Sequence, residues 1–123
     1  EIRKLEPYCH GQFTESVDSP FEGRSHVHWL TGTASTVMVG CVEGILGMRL
    51  DFDGIKIAPS IPSNWPEFTM TKVFRGKTLN IKVSNPNGAE SGYKSLILNG
   101  VKLDSNYISE TMLKDSNDIL LEM

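Results

Sequence analysis

Ser95-Leu96-Ile97-Leu98-Asn99-Gly100-Val101-Lys102-Leu103 is the stretch that decides the fold class. An Asn-Gly pair between two short apolar runs is the strongest local signal for a two-residue type I′ hairpin, since both central residues of that turn need positive φ. Upstream, Leu79-Asn80-Ile81-Lys82-Val83 alternates apolar and polar residues, and Met70-Thr71-Lys72-Val73-Phe74 does so in part. Asn85-Pro86-Asn87-Gly88 marks a further turn. Tyr107-Ile108 and Ile119-Leu120-Leu121 supply two more short strands. Short strands at even spacing with no helix between them predict an antiparallel β-sandwich. The period-two pattern begins at Asp53.

Before Asp53 the character changes. Thr31 to Gly47 reads as a helix: Thr31 or Thr33 can cap its start and Gly47 suits its end. Its apolar residues (Ala34, Val37, Met38, Val39, Cys41, Val42, Ile45 and Leu46) go almost all the way round. A helix apolar on every side belongs inside a larger body, and Gly40 and Gly44 weaken it further as an isolated element. Residues 1–27 have little periodicity and carry Pro7, Gly11, Pro20 and Gly23. Long stretches of that kind inside a compact domain are functional loops or pieces needing outside support. Tyr8, His10, Gln12, His26, His28 and Trp29 give this loop the look of a binding wall. The fold class read here is mainly β with one buried helix. The boundary lies near Leu50 to Gly54, with residues 1–52 in one part and 53–123 in a C-terminal sandwich.

The chain has 123 residues, with 12 basic and 15 acidic side chains giving a net charge of −3. That length is one domain, or one domain plus a piece of another. A mildly acidic chain argues against nucleic acid, where clustered Lys and Arg are needed. No apolar run reaches the ~20 residues that span a bilayer. The start, Glu1-Ile2-Arg3-Lys4-Leu5, has no initiator Met and no signal-like stretch, as expected of a chain cut from something longer. Two cysteines, Cys9 and Cys41, are few for a small secreted domain, and no CxxC or HxxxH pattern suggests a metal site. Free thiols in a cytosolic protein are the expectation.

Several motifs together resemble the C-terminal end of inverting cellobiose and cellodextrin phosphorylases, the β-glucan phosphorylase family. They are Glu6-Pro7-Tyr8, Gln12, Gly23-Arg24, and Trp29-Leu30-Thr31-Gly32-Thr33-Ala34-Ser35, the last being the most specific. Ile45-Leu46-Gly47-Met48-Arg49, Asp53-Gly54, Ile57-Ala58-Pro59, Ile61-Pro62-Ser63-Asn64-Trp65 and Phe74-Arg75-Gly76 continue the series in order, so that it covers roughly residues 6–88. Gly23-Arg24-Ser25-His26-Val27-His28-Trp29 is closer in wording to the cellodextrin branch. The resemblance implies a parent enzyme of several hundred residues: a β-sandwich, a helical linker, an (α/α)6 barrel with the active site, and a final β-sandwich. Residues 1–52 would be the last helical strip of the barrel.

The implied reaction is that of an inverting glycosidase with phosphate in place of water. A carboxylic acid protonates the glycosidic oxygen while phosphate attacks C1 from the opposite face. Phosphate is the co-substrate, with no cofactor or metal implied. The resemblance gives phosphate to Thr31 and Gly32, and backbone N–H groups at a helix start suit an anion. A plain helix cap is the alternative. It gives a sugar contact to Gln12, whose amide can both donate to and accept from hydroxyls; a surface glutamine is the alternative. His26 and His28 read as structural histidines, and Trp29 and Trp65 as core packing rather than sugar platforms. Arg24 suits either phosphate or a pairing with Glu22 or Asp18. Asp51-Phe52-Asp53-Gly54 resembles part of a calcium loop but lacks the other ligands, so it reads as a turn.

The family's general acid, an Asp, falls on a part of the barrel upstream of this chain. Glu6 and Glu15 do not match it, and the chain alone is expected to be inert. Chitobiose, β-1,3 or β-1,2 glucans fit the shared end segment as well as cellodextrins do. Resemblance also implies a homodimeric parent. Competing readings are a non-catalytic carbohydrate-binding module and a structural module. The first is weak, because Lys72 to Leu121 holds only Phe74, Tyr93 and Tyr107 as aromatics.

Overall fold

The computed structural model describes residues 2–4, 9–29 and 31–123. The chain divides into two compact units, Glu1–Cys41 and Val42–Met123. In the first unit, strand β1 (Phe13–Thr14) pairs antiparallel with β2 (Ser25–His26). The helix α1 (Thr33–Val39) follows and runs on as a π-helical stretch, Gly40–Ile45, of which residues 42–45 belong to the second unit. None of the α1 residues is buried, which differs from the buried helix read from the sequence. Met38, for example, is 66% exposed. Its apolar side chains point in every direction, and a helix of that kind is covered only when neighbours lie on all sides.

The second unit holds eight strands. Met48–Leu50 (β3), Gly54–Ile57 (β4) and Tyr107–Ser109 (β9) form a three-stranded antiparallel sheet in the order β3-β4-β9. Glu67–Phe74 (β5), Lys77–Ser84 (β6), Ser95–Leu98 (β7), Val101–Leu103 (β8) and Ser116–Glu122 (β10) form a second sheet in the order β5-β6-β10-β7-β8. A 3-10 turn, Glu110–Met112, links β9 to the segment before β10.

The alternation read from the sequence is the burial pattern. Leu79, Ile81 and Val83 of β6, and Ile119 and Leu121 of β10, all face the core. Ile55 and Ile57 of β4, Ile108 of β9 and Met48 of β3 join them in one cluster. The mainly β class is therefore as expected, with one departure from an all-antiparallel sheet. β10 inserts between β6 and β7, pairing parallel with β6 (Ile119 opposite Ile81) and antiparallel with β7 (Leu120 opposite Ile97). Nothing in the period-two pattern distinguishes the two directions.

Two tight turns carry positive φ at both central residues, as a type I′ hairpin requires. Asn99 and Gly100 have φ of 50° and 85°, and Arg75 and Gly76 have 49° and 80°. Residues 48–52, read with the helical part, contain β3, which pairs with β4.

At one end of this unit, Asp53 accepts a hydrogen bond from the Tyr107 hydroxyl. That bond, with desolvation and the nearby Asp53 and Asp51 charges acting the same way, pushes the Tyr107 phenol up to about 12 from 10.0. A phenol raised in the folded state favours folding while the unfolded phenol is still protonated. The contribution is whole below pH ~10 and is lost as pH climbs to about 12. Urea midpoints followed from pH ~9 to ~12 should fall more steeply for wild type than for Tyr107→Phe. Parallel curves would show that this bond does not survive in solution.

Candidate functional site

In the first unit the backbone of Gln12 runs against the end of β2. Its N–H lies 2.9 Å from the His26 carbonyl and 3.2 Å from that of Val27. The Gln12 side chain is exposed. His26 stacks on Phe13 with ring centroids 4.8 Å apart, and its Nε2 lies 2.8 Å from Glu15 Oε1. The two atoms approach closely without aligned hydrogen-bond geometry. The contact ties His26 and Glu15 into the β1–β2 ribbon, in keeping with a structural histidine. The Arg24 guanidinium lies over the Phe21 ring at 5.5 Å. His28 is exposed.

Thr31 and Gly32 lead into α1. The Thr31 hydroxyl accepts from the Thr33 N–H at 3.1 Å and shares a 2.8 Å bond with the Thr33 hydroxyl. Gly32, not either threonine, is the cap residue, with φ −69° and no side-chain cap bond. Its carbonyl accepts from the Thr36 N–H at 3.1 Å and from the hydroxyls of Ser35 and Thr36 at 2.8 and 3.0 Å. This φ is open to any residue, so conformation does not demand glycine. A Cβ at Gly32 would meet nothing within 4 Å, as is also true at Gly40 and Gly44 further along the helix.

A cavity of about 120 Å³ opens beside Thr31, lined also by Cys9, His10, Trp29 and Ala34. Gln12 is not among its lining residues. The structure thus brings Thr31 together with Cys9 and His10, which no periodicity or spacing links to it. Trp29 is 66% exposed and Trp65 40%, more than core packing would leave. Trp29 and Val27 hold φ of 67° and 52°. Bulky and β-branched residues in that region are outliers, which cluster at functional sites. Glu6, Pro7, Tyr8 and Leu30, four residues of the sequence motifs, lie outside the described residues.

Among the described residues no group of three or more His, Cys, Asp and Glu side chains is arranged to hold a metal. Asp51 instead accepts from the Phe52 N–H at 2.7 Å, and its own N–H donates to Gly54 O at 2.9 Å, which makes the segment a turn. Cys9 is buried and Cys41 partly buried, and the two are not joined in a disulfide. No helix among the described residues is long and apolar enough to cross a membrane.

Comparison with known proteins matches two families in succession. Residues 1–47 match the glycosyl hydrolase 94 superfamily, catalytic domain. Residues 48–91 match the glycosyl hydrolase family 65, C-terminal domain. An N,N'-diacetylchitobiose phosphorylase of Vibrio furnissii is 39% identical over 105 residues, covering 85% of this chain and 13% of the relative. A protein of the same name from Vibrio proteolyticus is 35% identical over 121 residues, covering 98% and 15%. A 3-O-beta-D-glucopyranosyl-beta-D-glucuronide phosphorylase of Paenibacillus borealis is 37% identical over 83 residues, covering 68% and 11%. The chain therefore spans only about an eighth to a seventh of the relatives' length. With the motif series from Glu6 to Gly76 and the β-domain architecture, these matches identify the chain as similar to the C-terminal part of the glycosyl hydrolase 94 disaccharide phosphorylases.

Proposed function

We propose that this chain works as part of a longer glycoside phosphorylase and that residues 1–52 contribute the phosphate- and sugar-facing wall of its active site, with 53–123 as the C-terminal sandwich. The reaction is cleavage of a β-linked disaccharide or oligosaccharide by inorganic phosphate with inversion. The C1–O glycosidic bond breaks and a C1–O bond to phosphate forms on the opposite face. A carboxylic acid from outside this chain gives its proton to the departing sugar oxygen. Phosphate is an anion already, so this wall must neutralise and orient it; no base and no cofactor are needed. The products are an α-sugar 1-phosphate and the shortened sugar.

The observation that carries this reading is the opening at Thr31 and Gly32. A Cβ at Gly32 would meet clear space, Thr31 borders a cavity, and backbone N–H groups at a helix start suit an anion. Gln12 serves the sugar through its amide. Support for a division in this part of the chain comes from the change of matched family after residue 47 and the compact-unit boundary after Cys41.

The β-1,4 linkage is the finer part of the proposal. The motifs favour cellobiose and cellodextrins; the Vibrio relatives' names favour the N-acetylated analogue, N,N'-diacetylchitobiose. The enzyme is read as a cytosolic homodimer. A binding-only module is the competing reading.

The test is sugar 1-phosphate release by the full-length polypeptide that carries this chain, given phosphate with cellobiose, cellotriose or N,N'-diacetylchitobiose. Turnover of at least one is expected, and none from the 123-residue chain alone. Thr31→Ala should raise KM for phosphate about tenfold, the loss of one charge-assisted hydrogen bond. Gln12→Ala should lower kcat/KM for the sugar by ~1–3 kcal/mol and leave KM for phosphate alone. An unchanged phosphate KM in Thr31→Ala removes that residue from the site. Wild-type kinetics in Gln12→Ala return it to the surface.

A further inference from the structure

Phe52 is the most exposed large apolar residue among those described, at 87%. Its backbone is nevertheless held on both sides. The N–H donates to Asp51 Oδ1 at 2.7 Å, and the carbonyl accepts from the Arg75 guanidinium at 2.6 Å. The fold fixes the main chain here while no described residue of this chain covers the phenyl ring. An aromatic ring presented on an anchored turn has lost little freedom still to be lost on binding, the arrangement that favours recognition.

The ring borders a surface cavity of about 460 Å³, whose other walls include Asp53, Arg75, Ser109, Glu110 and Thr111. These polar groups are fixed as well. Asp53 is held by the Tyr107 hydroxyl, and Arg75 pairs with Glu110 while lying over the Phe74 ring at 5.2 Å. The hydroxyls of Ser109 and Thr111 lie 2.9 Å apart. Lys77, also in the wall, spends its ammonium on the carbonyls of Glu110 and Leu113 at 3.2 and 2.8 Å.

The charges of this lining cancel: Arg75 and Lys77 against Asp53 and Glu110. A phosphate or a cation gains nothing net from such a wall. A neutral ligand with one apolar face and a rim of hydroxyls does gain. The ring covers the C–H face, while carboxylates, guanidinium and hydroxyls exchange hydrogen bonds with the rim. That description is a pyranose. We propose that Phe52 and the Asp53–Arg75–Ser109–Glu110–Thr111 wall form a binding site for a neutral oligosaccharide. It lies on the β-domain and its residues are separate from Gln12, Thr31 and Gly32. Its function is to hold sugar chains, and it does so whether or not the phosphorylase reading is correct.

The experiment is a titration of the ¹⁵N-labelled 123-residue chain with cellotetraose and with N,N',N''-triacetylchitotriose, and with inorganic phosphate as the comparison. At least one sugar should move the amide signals of Phe52, Asp53, Arg75 and Ser109 to Thr111, and phosphate should not. Phe52→Ala should weaken that sugar about tenfold, and Phe52→Trp should retain it. Because the side chain is exposed, both variants keep the remaining spectrum, which checks folding in the same samples. The proposal is overturned by sugar spectra without these shifts, by equal shifts with phosphate, or by undiminished binding in Phe52→Ala. Loss of sugar 1-phosphate release in the full-length polypeptide has no bearing on this readout, so the two ideas fail separately.

Discussion

Gly47→Ala is expected to unfold the β-domain or leave it barely stable. Gly47 has φ +74°, and a Cβ built on it would stand 2.1 Å from the Ala58 carbonyl oxygen, 2.2 Å from its carbon and 2.4 Å from the Pro59 nitrogen. All three atoms are backbone, so no rotamer change relieves the contact. The segments cannot simply part, because the Ala58 N–H donates to the Gly47 carbonyl at 2.8 Å. The left-handed conformation alone costs an alanine ~1–2 kcal/mol, and the forced backbone shift adds ~1–3 kcal/mol or more. Against a total of ~5–15 kcal/mol for an ordinary domain, that is a large share. Gly76→Ala supplies the control: φ is +80°, but nothing lies within 4 Å of its Cβ position. It should cost only the conformational part. Urea unfolding of both variants separates the two effects, and equal midpoints would show that the Gly47–Ala58 apposition is looser than drawn.

The same glycine shows what a sequence can and cannot carry. It was legible as a helix stop, which is a local matter of positive φ. Its close approach to Ala58 depends on a pairing between β3 and β4 that no local pattern announces. Met48-Arg49-Leu50 is too short to establish a period, and Gly54-Ile55-Lys56-Ile57, although inside the period-two stretch that begins at Asp53, does not name its partner. By contrast β6, β7 and β8 could be read directly. Leu79, Ile81 and Val83 alternate over a length that fixes a face, and Asn99-Gly100 sets the turn. β10 was legible as a strand, yet its direction beside β6 was not, since parallel and antiparallel partners bury the same alternate residues.

The candidate site divides in the same way. Thr31, Gly32 and Gln12 came from motif resemblance; the structure adds open space at Gly32 and a cavity beside Thr31, and neither of these involves Gln12. Cys9 and His10 joined Thr31 only through the folded path of the chain. Trp29 reads as core because it precedes a helix read as buried, yet among the described residues it is 66% exposed. Phe52 was passed over because a turn residue next to two aspartates reads as punctuation. Only the hydrogen bonds from Arg75 and to Asp51 reveal how firmly it is held.

The second large effect is expected at Asn117, a polar residue buried at 1% exposure. Its side chain uses both ends. Oδ1 accepts from Asn99 Nδ2 at 3.0 Å and from the Lys114 N–H at 2.9 Å, while Nδ2 donates to the carbonyls of Thr78 at 3.2 Å and Lys114 at 2.7 Å. One residue thereby joins β6, the β7–β8 turn and the chain entering β10, which are the elements that must meet for β10 to slot between β6 and β7. Asn99 extends the network, its Oδ1 accepting from the Asp118 N–H at 2.9 Å. Asn117→Ala leaves buried donors and acceptors unmade at ~1–3 kcal/mol each, so a loss of ~3–5 kcal/mol is expected. Asn117→Asp is the more telling variant because shape is kept. The carboxylate would face the Thr78 and Lys114 carbonyls where the amide donated, so burial and repulsion raise its pKa above the unfolded value of ~3.9. Such a group is stabilised when protonated, so Asn117→Asp should gain stability relative to wild type as pH falls from ~7 toward ~4. If Asn117→Asp and wild type keep a constant difference across that range, the four bonds do not hold the side chain as described, and β10 owes its position to apolar packing alone.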